Sequence, residues 1–272
     1  MSIFHAIVLG ITQGLAEYLP ISSSGHLILI PWLFGWKDFA GDESLKKTFD
    51  VALHLGTLGG AVTYFRSDIR RLVRAAILDP KRKDGRLAWL IALSAVPAAI
   101  TGALLSSTIE DETDQIWVIA VMLIVGALAL AWADGALGKR TIDEVTTKDA
   151  VIVGLAQAAA LQPGVSRSGV TMTAGRFVGL GRDAAARFAF LMSLPVTAGA
   201  LLFKFVDVQS DGGVPDDMRN AFIVGIVTSA ITGYIAVWGT LKLVRSHSFA
   251  PFVLYRIVLG VFILLVLATP WR

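Results

Sequence analysis

The chain contains no cysteine, which removes disulfides, thiol catalysis and cysteine-based metal sites together. It carries little net charge, +3 at pH 7, so how the charge is distributed matters more than its sum. No stretch resembles a nucleic-acid module, and no nucleic-acid partner is expected. The N-terminus lacks the basic start and cleavage site of a signal peptide, so residues from Ile3 onward are expected to belong to the mature fold. No linker or separate soluble domain interrupts the sequence, which reads as one polytopic domain over residues 1–272. What it has in abundance is hydrocarbon. With 55% hydrophobic residues and a mean hydropathy of +0.68, the expected partner is the lipid bilayer and the fold class is an all-α integral membrane protein.

Two polar interruptions stand out in this apolar background. Residues 161–171 carry Pro163, Gly164, Ser166, Arg167, Ser168 and Gly169 between apolar flanks. An arginine between serines cannot face lipid as a passive linker, because unpaired charge and backbone there cost several kcal/mol. A cavity lined by Ser, Arg and free helix-start N–H groups suits an anion. The second interruption echoes the first. Aligned without a gap, Gly10 falls on Gly154, Gln13 on Gln157, Ser22 on Ser166, Ser24 on Ser168 and Gly25 on Gly169, with Pro20 one position from Pro163. Two broken apolar helices in corresponding halves point to a binding site in a repeated membrane fold.

In order, residues 3–19 read as an apolar helix with Gln13 and Glu17 on one face, broken by Pro20 and the serines, and resumed over 26–34. Neither half has the ~20 residues needed to span, which predicts a re-entrant pair. Residues 37–47 read as a polar loop and 49–65 as a short span with Asp50 and His54 in a structural role. Residues 66–86 read as a basic loop, cytoplasmic by the positive-inside rule. Spans over 87–106 and 116–133 follow, separated by an acidic turn with Glu110, Asp111, Glu112 and Asp114. A loop with Lys139, Arg140 and Lys148 leads to the second broken pair, 150–161 and 169–180, with Arg176, Arg182 and Arg187 at its end. Spans over 188–205, 221–241 and 251–268 complete the chain, the first two separated by Asp207, Asp211, Asp216 and Asp217 and the last two by Lys242 and Arg245. Trp32, Trp36 and Trp271 read as interfacial anchors. The expectation is six spanning helices plus two re-entrant helix pairs, in repeats of about 1–133 and 148–270. Three spans lie between the pairs, an odd number, so the two repeats have inverted topology.

If the breaks meet, one pocket holds Gln13, Glu17, Ser22, Ser23, Ser24, His26, Ser166, Arg167 and Ser168. Arg167 is the side chain best matched to a phosphate, and the serines with the following N–H groups add donors. A carboxylate beside phosphate repels it unless a divalent cation bridges them, as Mg²⁺ does through one or two carboxylates plus substrate oxygens. Glu17 and Gln13 are the candidate metal ligands. Ser23 and His26 are candidate nucleophile and general acid or base, in either order. The plainer alternatives are an ion pair between Glu17 and Arg167, serines that only cap helices, and a core His26 bonded to a carbonyl.

The run from Gln13 to Glu17 with Leu19-Pro20-Ile21-Ser22-Ser23-Ser24-Gly25-His26, together with Pro163-Gly164-Val165-Ser166-Arg167-Ser168-Gly169-Val170-Thr171, resembles the undecaprenyl-diphosphate phosphatase family, also called bacitracin-resistance proteins. Motif order and spacing match over essentially the whole chain, and residues 184–195 are similar as well. The resemblance implies a plasma-membrane enzyme with a periplasm-facing site that removes the terminal phosphate of undecaprenyl diphosphate, recycling the lipid carrier for cell-wall synthesis. It implies that Glu17 and Arg167 are essential, that Ser23 is the nucleophile with His26 nearby, and that Ser22, Ser24, Ser166, Ser168 and Thr171 contact substrate. It also implies dependence on Mg²⁺ or Ca²⁺. Gln13 takes the family's alternative to glutamate, leaving one carboxylate fewer for a metal, and Ser24 stands where some members have Thr. The competing class is a transporter or flippase for an anionic or phospholipid-like substrate, built on the same geometry. The sequence leaves open the oligomeric state, a homodimer included, and the isoprenoid chain length accepted.

Overall fold

A polypeptide in lipid must satisfy its backbone internally, and long apolar segments therefore become helices. In the computed structural model, residues 1–39, 41–110, 115–210 and 214–269 are described. Asp111, Glu112, Asp114, Asp211 and Trp271 lie outside the described residues, as do the side chains of Glu110 and Asp207. The described residues form eleven α-helices. Helix α1 is Ile3–Tyr18, α2 Ser23–Phe34, α3 Glu43–Tyr64, α4 Arg66–Leu78, α5 Lys83–Glu110 and α6 Ile116–Asp134. After a 3₁₀ turn at Ile142–Glu144 come α7 Thr147–Ala158, a second turn at Ala159–Leu161, α8 Arg167–Phe177, α9 Arg182–Ser210, α10 Arg219–Val244 and α11 Ala250–Leu267.

Local chemistry sets the ends. Ser2 caps α1 by accepting from the His5 N–H. Leu19, which precedes Pro20, is extended and stops that helix. Thr146 and Asp149 form a reciprocal capping box at the start of α7. Gly35 closes α2 in the left-handed conformation.

Five helices are long and apolar enough to cross a bilayer, over Lys83–Gly102, Ile116–Asp134, Arg182–Lys204, Arg219–Val244 and Ala250–Leu267. The protein is a multi-pass membrane protein. The sixth expected span corresponds to α3, which is long enough at 22 residues. Glu43, Lys46, Lys47, Asp50 and His54 keep it from being apolar enough, so five rather than six helices qualify among the described residues. Helices α1, α2, α7 and α8 have 16, 12, 12 and 11 residues, too short for a hydrocarbon layer of ~30 Å at ~1.5 Å per residue.

Two loop expectations are corrected. The basic segment is helical as α4 and, after a turn at 79–82, again at the start of α5; in α4, Arg66, Arg70, Arg71 and Arg74 alternate with Ile69, Leu72 and Val73 at helical spacing. Ion pairs from Arg71 to Asp84 and from Arg187 to Asp68 hold it down. The polar stretch at 37–47 ends as the first turn of α3, capped by Asp42.

Small residues set the packing. α10 lies against both α1 and α3. A Cβ on Gly14 would sit 1.9 Å from Thr232 Oγ1, and one on Gly56 2.0 Å from Ser229 Oγ and 2.3 Å from the Ile226 carbonyl. This backbone-close approach is how membrane helices gain contact when lipid gives no hydrophobic drive. The second half uses the same device where α7 meets α5, with Gly154 against the backbone of Ser94. α10 packs on both α1 and α3, and α5 likewise packs on both α7 and α9, while α6 and α11 pack on each other.

Candidate active site

The two breaks have nearly the same backbone. Ser22 sits at φ 77°, ψ 95° and Ser166 at φ 73°, ψ 113°. These are the two non-glycine residues with positive φ among the described residues, a conformation that costs about 1–3 kcal/mol each and needs surrounding support. Each caps the helix it starts, its hydroxyl accepting from Gly25 N at 3.4 Å or Gly169 N at 3.1 Å. Further support crosses between the breaks. Ser22 Oγ also accepts from Gly164 N at 3.1 Å, and Ser168 Oγ donates to the Leu19 carbonyl at 3.0 Å. The residue immediately after each strained serine is the first of its helix: Ser23 on α2 and Arg167 on α8.

Those two residues meet on Glu17, which α1 presents one turn after Gln13. Glu17 is buried. Ser23 Oγ donates to Glu17 Oε2 at 2.7 Å, and Gln13 Nε2 donates to the same oxygen at 3.1 Å. Arg167 pairs with Glu17 Oε1 at 2.6 Å and donates through its other terminal nitrogen to Thr197 Oγ1 at 2.8 Å. The ion pair that the sequence offered as the plainer alternative is therefore present, and the hydroxyl of Ser23 shares its carboxylate. A carboxylate accepting from a serine hydroxyl is the arrangement in which that hydroxyl can be deprotonated as it attacks.

His26 is placed differently. The Ser22 carbonyl can only accept, so at 2.7 Å it fixes the proton on His26 Nδ1. Nε2 is then the acceptor for the Tyr255 hydroxyl, also at 2.7 Å. The two rings stack with centroids 5.6 Å apart. Both imidazole nitrogens are thus engaged away from Ser23. His54 stands nearer the chemistry than expected: its Nδ1 donates to the Asp50 carbonyl at 2.8 Å, and its Nε2 lies 3.6 Å from Glu17 Oε2.

The remaining serines and Thr171 divide by role. Ser22, Ser166, Ser168 and Thr171 are buried. Their hydroxyls are engaged within the fold; Ser166 and Ser168 lie 3.3 Å apart, and Thr171 donates to the Arg167 carbonyl at 2.7 Å. Ser24 is exposed. Sequence reasoning missed Thr197 and Tyr255 and undervalued His54. The signal for His54 was a polar residue one helical turn from Asp50 inside an apolar segment. Thr197 and Tyr255 reach the site only through tertiary packing, and nothing local distinguishes them.

The two residues expected to hold a metal, Gln13 and Glu17, lie side by side. Gln13 is 0% exposed and its Oε1 has no hydrogen-bond partner, an orphaned carbonyl beside the Glu17 carboxylate. No group of three or more His, Cys, Asp or Glu side chains able to hold a metal occurs among the described residues. The residues therefore fit an ion shared with substrate oxygens and do not form an all-protein cage.

Comparison with known proteins identifies the family. The family described as Bacitracin resistance protein BacA matches residues 6–262. Proteins named undecaprenyl-diphosphatase are similar over nearly their whole length. The one from Pelotomaculum thermopropionicum is 45% identical over 269 residues, 98% of each chain. The one from Geobacter metallireducens is 46% identical over 275 residues, 97% of this chain and 98% of its own. Glu17, Ser23 and Arg167, brought together on one carboxylate, lie inside the matched region, and the chain belongs to the bacitracin-resistance protein (BacA) family.

Proposed function

We propose that the chain is an undecaprenyl-diphosphate phosphatase and that Ser23 is its nucleophile. The observation that carries this reading is the hydrogen bond from Ser23 Oγ to Glu17 Oε2 at 2.7 Å, with Arg167 on the same carboxylate. A transporter needs an anion clamp but no nucleophile seated on a base.

In the proposed reaction Ser23 Oγ attacks the terminal phosphorus and gives its proton to Glu17. The anhydride P–O bond breaks, undecaprenyl phosphate leaves with the electron pair, and the phosphoryl group stays on Ser23. His54, 3.6 Å from Glu17, is placed to take the proton onward, so that Glu17 can deprotonate the water that releases inorganic phosphate. Arg167, oriented by Thr197, turns its planar fork to the phosphoryl oxygens, where charge builds up in the transition state. A divalent cation, Mg²⁺ or Ca²⁺, held by Glu17 and the free carbonyl of Gln13 would screen the diphosphate from the carboxylate. Ser22, Ser166, Ser168 and Thr171 shape the two helix starts, whose N–H groups face the anion, while Ser24 is free to contact substrate. His26 acts as a structural neighbour tied to Tyr255.

The architecture proposed around this site is a pair of inverted-topology repeats whose short helices, α1 with α2 and α7 with α8, are re-entrant. The matched serine geometry supports it, as does the way α10 packs on α1 and α3 while α5 packs on α7 and α9. α3 then crosses as a sixth, polar-faced span. With Arg70, Arg74 and Arg82 in the cytoplasm, the site opens to the periplasmic side. Phosphate release from undecaprenyl diphosphate by the purified protein tests the activity. Lipid transferred across a vesicle with its diphosphate intact would favour the transport reading instead.

A further inference from the structure

Arg256 lies within α11, in the apolar run from Phe252 to Leu267. It is 0% exposed, and among the described residues no carboxylate pairs with it. Its guanidinium is met by carbonyls alone. Nε donates to Leu123 O at 3.0 Å, and one terminal nitrogen donates to Pro20 O at 3.2 Å. The other reaches Met122 O at 3.2 Å, Gly164 O at 3.0 Å and Val165 O at 3.0 Å. These acceptors come from three places: α6, the first break and the second break. Pro20, Gly164 and Val165 sit in non-helical backbone, where a carbonyl in the membrane has lost its helical partner and must find another.

Space has been left for the group. A Cβ on Gly126 would lie 2.1 Å from one terminal nitrogen, and a Cβ on Gly169 2.9 Å from the other. Pro20 is three residues before Ser23, and Val165 is two before Arg167. A single guanidinium therefore ties together the backbones that deliver the two residues meeting on Glu17.

We infer that Arg256 is a positioning residue for the reaction: it clasps the two breaks so that Ser23 and Arg167 arrive on the same carboxylate. The inference rests on the phosphatase reading for its kinetic consequence, though not for its geometry. Lysine cannot replace it, because one ammonium on a flexible stem lacks the planar fork that reaches several separate carbonyls at once.

The test uses the full-length protein in nanodiscs, with Arg256→Lys and Gly126→Ala. The second variant leaves the charge in place and pushes the guanidinium out of register. Ile263→Ala, which thins the neighbouring packing, is the control for general loosening. Because the chain has no cysteine, spin labels on cysteines introduced at Ser24 and Gln162 report the separation of the breaks by double electron–electron resonance. Arg256→Lys and Gly126→Ala should each broaden that distance distribution. Each should also lower kcat for phosphate release on the order of 10²-fold, as misplacement by about 1 Å does, with KM changed only a few-fold. Ile263→Ala should lower the unfolding temperature and leave the distribution and kcat unchanged. Narrow distributions and wild-type kcat in both variants would overturn the inference, as would equal broadening in Ile263→Ala. If Arg256→Lys does not fold, Gly126→Ala decides alone. If the wild type releases no phosphate, the phosphatase reading fails, and the distance measurement still decides the clasp.

Discussion

Replacing Arg167 by lysine keeps the positive charge and removes the shape. In the wild type one terminal nitrogen bonds Glu17 Oε1 at 2.6 Å while the other bonds Thr197 Oγ1 at 2.8 Å. The guanidinium plane is therefore fixed before substrate arrives. A lysine ammonium can pair with Glu17, but then it has neither the second prong for Thr197 nor a rigid face for the phosphoryl oxygens. Removing one oriented donor from a developing anion costs about 2.7–4 kcal/mol in well-studied sites. Since lysine keeps the charge, a loss of at least ~2 kcal/mol is expected, or about 30-fold in kcat/KM. The assay is initial-rate phosphate release from undecaprenyl diphosphate over a range of lipid concentrations. The loss should fall mainly on kcat, because the oxygens carry more charge in the transition state than in the bound lipid. A lysine variant within about 3-fold of wild-type kcat/KM would show that the fork geometry does not matter, and the role given to Thr197 would fall with it.

Further outcomes follow from the same contacts. Glu17→Gln keeps size but removes the base and turns one of its two accepting oxygens into a donor, so kcat should fall about 10²–10⁴-fold while KM does not rise; recovery of the rate on adding Mg²⁺ would assign the loss to the ion instead. Gly56→Ala should cost about 1–3 kcal/mol or more in thermal or denaturant unfolding, since its methyl would meet the Ile226 carbonyl at 2.3 Å. Gly59→Ala, with open space around it, should be neutral or stabilising, and equal effects would refute the close-packing argument. A cysteine at Arg74 should be shielded from an impermeant thiol reagent in intact cells and one at Asp216 labelled; the reverse would overturn the orientation.

Much of the site was legible because it is written in local chemistry. Polar residues break an apolar helix visibly, and a Ser-Arg-Ser run flanked by glycine has few uses in a membrane. The alignment of the two breaks put Ser22 on Ser166, and the structure gives these two residues the same positive-φ backbone conformation. Less legible was anything decided by packing at a distance. Arg256 passed as one charge inside a long span, because its five bonds go to carbonyls up to 236 residues away. Thr197 and Tyr255 are ordinary residues for a membrane helix until the fold puts them beside Arg167 and His26. α4 was missed for a different reason: its density of arginine outweighed a helical period that was present in the sequence.

The central claim is that Ser23, seated on Glu17, takes the terminal phosphoryl group. The most direct measurement is rapid quench in mildly alkaline denaturant, where phosphoserine and phosphohistidine both survive, of the purified enzyme turning over undecaprenyl diphosphate labelled in its terminal phosphate, followed by peptide mass spectrometry. The expected result is labelled phosphoserine at Ser23, chased into inorganic phosphate, and absent from a Ser23→Ala variant that still binds the lipid but does not turn over. Label on His26, or a Ser23→Ala variant that hydrolyses at the wild-type rate, would contradict the claim.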